Sequence, residues 1–104
     1  MAEVIVAGTV AGLPSAPDAQ GAVRFVLEEG VGRGEKRTVV RWDCNAIGSL
    51  AVLVCRGLEN GMTVRLRGRL SVEGSVVEGE MLLRRMVWVT GVLDVSGHSE
   101  GGGT

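Results

Sequence analysis

A chain of 104 residues holds one small domain around one core. Its hydrophobic fraction of 45% excludes wholesale disorder, and a net charge of -1 excludes a partner held by bulk positive charge alone. No stretch approaches the roughly 18 apolar residues of a membrane helix. The two cysteines, Cys44 and Cys55, make neither a disulfide scaffold nor a CxxC metal site.

The first segment, Val4 to Val10, is β-branched and apolar and reads as a strand. Gly12, Pro14 and Pro17 then mark a loop. From Ala22 to Glu28 the odd positions Val23, Phe25 and Leu27 form an apolar face, with Arg24 and Glu28 opposite. Gly30 to Glu35 reads as a hairpin tip. A third strand follows from Arg37 to Ile47, with Trp42, Cys44 and Ala46 on one face and Arg37, Arg41, Asp43 and Asn45 on the other. Both thiols lie on apolar faces and are expected to be buried and reduced.

The period then changes. Leu50, Leu53, Val54 and Leu58 stand near helical spacing, so the expectation is a short helix with Ser49 as N-cap and Gly61 just beyond its end. The fourth strand has the clearest alternation: Met62, Val64, Leu66, Gly68, Leu70 and Val72 against Thr63, Arg65, Arg67, Arg69 and Ser71. Residues 73–79 read as a turn, and a last strand runs from Glu80 to Val95 with a bend at Gly91. The expected domain is therefore 1–95, followed by a Gly-rich disordered tail, 96–104.

Three strands, a short helix and two more strands, each with one apolar face, favour closure into an all-β, five-stranded Greek-key barrel of the OB type. The segments Val6-Ala7-Gly8-Thr9-Val10, Phe25-Val26-Leu27-Glu28, Ile47-Gly48-Ser49-Leu50-Ala51 and Gly61 to Leu70 occur in the order found in the bacterial single-stranded-DNA-binding protein family, which the chain resembles over roughly residues 4–95. The same starts of strands one and two are similar to those of the short, dimeric primosomal replication protein N type. The resemblance implies an OB-fold, single-stranded DNA as partner, a role in replication, repair or replication restart, possible contact with replication or restart proteins, and a homodimer or homotetramer. The family's acidic, Phe-tipped C-terminal peptide has no counterpart in the ending Gly101-Gly102-Gly103-Thr104, so recruitment through such a peptide is not expected. At a third-strand position where the family carries an aromatic residue, this chain has Arg41, with Trp42 beside it.

The residues themselves point the same way. Arg65, Arg67 and Arg69 alternate along one strand face about 6.6 Å apart, close to the phosphate spacing of an extended single strand. Guanidinium groups bind phosphate in bidentate fashion and also stack on bases. Arg24, Arg37 and Arg41 extend the basic surface across strands two and three. Trp42 and Trp88 are the large stacking candidates. Trp42 shares its face with Val40, Cys44 and Ala46, which favours the core; Trp88 shares its face with Arg84, Met86 and Thr90, and the pattern does not choose its side. A solvated, edge-blunting role for the arginines is the competing reading, and it leads to an OB-fold protein-interaction subunit with little nucleic-acid binding.

No catalytic constellation is present: the one histidine, His98, has no nucleophile or carboxylate at a motif spacing, and no P-loop or HExxH pattern occurs. The expectation is a non-enzyme without metal or cofactor. The start Met1-Ala2-Glu3 lacks the basic region of a signal peptide, so the expected location is cytoplasmic. Apolar strand edges beyond what so small a barrel covers point to self-association, which a dimer or a tetramer would satisfy.

Overall fold

The computed structural model describes residues 2–98. Five strands close into a barrel in the order β1-β2-β3-β5-β4. They are β1 (Ala2–Val10), β2 (Val23–Val31), β3 (Thr38–Ala46), β4 (Met62–Val77) and β5 (Glu80–His98). One helix, α1 (Ser49–Gly57), lies between β3 and β4. Every neighbouring pair is antiparallel except β3 with β5, which run parallel at Asp43–Asn45 and Met86–Trp88 and close the cylinder. The OB architecture expected from the order of elements is the one observed.

The period-two pattern builds the interior. Val23, Phe25 and Leu27 of β2, Val64 and Leu66 of β4, and Val87 and Val89 of β5 all point inward and are buried. Ala51, Val54 and Leu58, spaced as i, i+3 and i+7, turn one side of α1 and its C-terminus onto this core. That spacing corrects two sequence expectations. Leu53 is exposed rather than inward, and Cys55 lies on the outer side of the helix and is exposed; only Cys44 is buried. The helix is capped by Gly48, with no side-chain hydrogen bond, and Ser49 is already its first helical residue.

The last two strands are longer than their composition suggests. Gly74 and Ser75 read as turn residues, yet the β4–β5 ladder carries through them, pairing Glu73 with Arg84 and Val77 with Glu80. The reversal needs only Glu78 and Gly79, both at positive φ (53° and 82°), the conformation of a two-residue type I′ hairpin. A two-stranded arm therefore extends from the barrel. Near Gly91 the register shifts between Arg67 and Gly68, and the extra residue Thr90 donates its hydroxyl to the Arg67 carbonyl at 3.3 Å, which makes the expected bend a bulge. Pairing of Thr63 with Ser96 and Met62 with His98 carries β5 three residues past the expected boundary at 95. The rest of the expected tail, 99–104, lies outside the described residues.

Candidate nucleic-acid interface

The outer wall of β2, β3 and β5 carries a groove of about 550 Å³. The β1–β2 loop forms one bank and is pinned to β2: the Ser15 amide donates to the Arg24 carbonyl at 2.8 Å, and the Arg24 amide donates to Ser15 Oγ at 2.8 Å. Asp18 Oδ1 accepts from the amides of Gln20 and Ala22, each at 2.9 Å, and so closes the far end of the loop. The side chain of Leu13, 82% exposed, stands on this bank. Arg24, Arg41, Arg84 and Trp88 line the opposite side, with Asp43 among them.

The two Asp43 carboxylate oxygens accept hydrogen bonds from Arg41 Nε at 3.2 Å and Arg84 Nε at 3.1 Å. Both arginines are largely exposed, so the ion pairs contribute little to stability. Their effect is positional: each guanidinium is tethered through Nε, and its terminal nitrogens make no hydrogen bond among the described residues. Three arginines against Asp18 and Asp43 leave the groove with an excess of one positive charge.

The strand register joins this groove to the arginine row. Arg24 faces Asn45 on β3, Asn45 faces Trp88 on β5, and Trp88 faces Arg69 on β4. Three inter-strand steps of about 4.8 Å place Arg24 and Arg69 about 14 Å apart with the indole between them. From Arg69 the row continues along β4 to Arg67 and Arg65, all exposed and, among the described residues, in no ion pair. Glu3 stands opposite Arg69 on β1 and Asp94 opposite Arg65 on β5, so carboxylates flank the row in register without closing on it.

The eight residues singled out from the sequence thus divide. Arg24, Arg41 and Trp88 line the groove, and Arg65, Arg67 and Arg69 form the adjoining row. Trp88 is 39% exposed, which answers the question its sequence left open. Arg37 falls outside both: it precedes β3 at the β2–β3 hairpin, where its guanidinium lies over Gly30. Trp42 is half-buried against the core, and its indole N–H donates to Glu29 Oε1 at 3.2 Å, outside both the groove and the row. Arg84 and Asn45 also line the groove, though the sequence does not single them out. Arg84 shares the alternation of Trp88 and was visible in it, whereas Asn45 gains its neighbours only from the non-local β3–β5 pairing.

The barrel has solved counterparts. The crystal structure of a small single-stranded DNA-binding protein from Streptomyces coelicolor matches 97% of this chain and 96% of its own, with a TM-score of 0.72 and 24% identity. A small single-stranded DNA binding protein from Mycoplasma pneumoniae matches 90% of this chain and 93% of its own, with a TM-score of 0.64 and 11% identity. The chain has the fold of these small single-stranded-DNA-binding proteins. No protein-family model and no curated protein sequence matches it. The likeness is thus carried by the barrel, while the groove and arginine row are features of this chain's own residues.

The thiols give an independent check of that barrel. Burial, and secondarily the Asp43 charge, push the Cys44 thiol up from 9.0 to about 12, so it stays protonated and unreactive at neutral pH. Cys55 is open to solvent. A disulfide reagent added to the native protein near pH 8 is expected to modify Cys55 quickly and Cys44 only on unfolding. Rapid reaction of both thiols would show that β3 does not seal Cys44 inside.

Proposed function

We propose that the protein binds single-stranded DNA without sequence preference, along a path that enters the β2-β3-β5 groove and runs out along β4. The observation that carries the reading is the cross-barrel row Arg24–Asn45–Trp88–Arg69, an exposed stacking surface between two cations. A base has a flat face for Trp88 whatever its identity, and the phosphates on either side meet guanidinium groups. The fold shared with two small single-stranded DNA-binding proteins supports this partner. The role we assign is non-enzymatic and cytoplasmic, in replication, repair or replication restart, alone or with proteins of those processes.

Self-association belongs to the same proposal. Only Thr9 and Val10 of β1 pair with β2, so the rest of that strand keeps an open edge, and Ile5 on it is exposed. Two or more copies would also set several grooves in one assembly and raise avidity.

Fluorescence titration with oligo-dT at two salt concentrations tests the reading. Binding is expected at low salt and should weaken as salt rises, because single-strand affinity falls with a log–log slope of about 0.7 per phosphate contact. Replacing Arg65, Arg67 and Arg69 together by Glu should weaken binding and flatten that slope by about 2. An unchanged slope would remove β4 from the path and confine the site to the groove. A competing reading, a barrel that binds only protein, is favoured by one feature, the exposed Val72, Val76, Met81 and Leu83 of the β4–β5 arm. It requires that oligo-dT give no signal with micromolar protein at low salt.

A further inference from the structure

Asn45 is the one buried polar side chain among the described residues, 6% exposed, and its amide makes no hydrogen bond to any of them. It lines the groove. Among the described residues no sealed side-chain nitrogen or oxygen lacks a partner, so the unbonded amide atoms of Asn45 keep contact with solvent on the groove side. With the rest of the residue buried, the partner of this amide has to come from the groove side, as water or ligand. Here it stands in register between Arg24 and Trp88, one strand from each.

We propose that the Asn45 amide holds the Watson–Crick edge of one unpaired base as that base stacks on Trp88. This rests on the single-stranded DNA reading above and names what the middle of that site recognises. The carboxamide offers one donor and one acceptor side by side. Each of the four bases presents a donor next to an acceptor along its pairing edge, in one order or the other, and rotation of the amide by half a turn matches either order. The contact is therefore tolerant of sequence. It is not tolerant of pairing, because in a duplex that edge is already consumed by the complementary base. Arginines and an indole attract nucleic acid of either kind; Asn45 supplies the group that only an unpaired base satisfies.

The probes are a short oligo-dT and the same oligomer built from N3-methylthymidine, which keeps the ring face and the phosphates but loses the edge donor. The wild-type chain is expected to bind the methylated strand about fivefold more weakly, the worth of one net hydrogen bond. The N45L variant should lose a similar factor on oligo-dT, become insensitive to the methyl group, and keep the wild-type salt slope, since no phosphate contact changes. Its thermal midpoint should not fall, because an unpartnered amide has been replaced by an apolar group of similar size. Equal wild-type affinity for both strands overturns the inference without any variant being needed. So does an N45L affinity for oligo-dT equal to wild type. Absence of wild-type binding to oligo-dT at low salt has a different meaning: it sinks the single-stranded DNA reading itself, and this inference with it.

Discussion

Replacing Trp88 with alanine is expected to weaken oligo-dT binding about 5- to 150-fold, the span of 1–3 kcal/mol per stacked base. The effect is large because no second aromatic ring stands ready to replace it. Phe25 is in the core, Trp42 is held against it by its bond to Glu29, and the chain has no tyrosine. Affinity therefore concentrates on one ring, unlike a groove that spreads stacking over several. The W88F variant should recover most of the loss, since a phenyl face still stacks, whereas W88L should not. The same variants report on the assay: Trp42 remains as the fluorophore, and if its emission alone carried the quenching, W88A would leave the signal intact. An affinity for oligo-dT within a factor of two of wild type would move the stacking surface away from Trp88 and dissolve the row on which the functional reading depends.

How much of this was legible beforehand follows from what is local in the chain. Alternation from Met62 to Val72 put Arg65, Arg67 and Arg69 outside because a strand buried on one face must alternate, and no tertiary fact was needed. Residues 73–77 read as a turn because Gly74 and Ser75 weaken a strand on propensity, while the β5 partner residues Leu82 and Leu83 that hold them in the ladder lie beyond the turn. The helical stripe Leu50, Leu53, Val54 and Leu58 is kept at Val54 and Leu58, while the core takes Ala51 in place of Leu53. The apolar neighbours of Cys55 in the sequence suggest burial, but its position on the helix turns it to solvent. The site divides in the same manner. Arg24 and Arg41 were visible as outward residues of their own strands. The meeting of Asn45 with Trp88 depends on the parallel β3–β5 contact, formed between segments more than forty positions apart, and no periodicity in either strand announces it.

Gly68→Ala is expected to be among the most damaging single substitutions, at about 1–3 kcal/mol, because it overpacks a closed barrel. A methyl group there would sit 2.5 Å from Val87 Cγ1 and 2.6 Å from the Trp88 carbonyl oxygen. The first neighbour belongs to a buried side chain, 0% exposed, with little room to turn; the second is backbone and can move only if β5 moves. Since 1 kcal/mol shifts the midpoint of a domain this size by about 4–8 °C, the loss should be plain in a thermal or urea transition. Gly91→Ala is the matched control. Gly91 also lies on the β4–β5 ladder, its φ is not in the left-handed region, and nothing lies within 4 Å of its added Cβ, so its cost should stay near 0.5 kcal/mol. The pair separates tight approach of β4 to β5 from any general intolerance of alanine in the sheet. It also ties stability to the site, because the carbonyl that Gly68 accommodates belongs to Trp88. Whatever fraction of the G68A protein folds must push that residue outward and should bind oligo-dT more weakly than wild type at equal folded concentration. A G68A chain as stable as G91A would mean that β4 and β5 are farther apart at Trp88, and that Arg69 is not the ring's immediate neighbour.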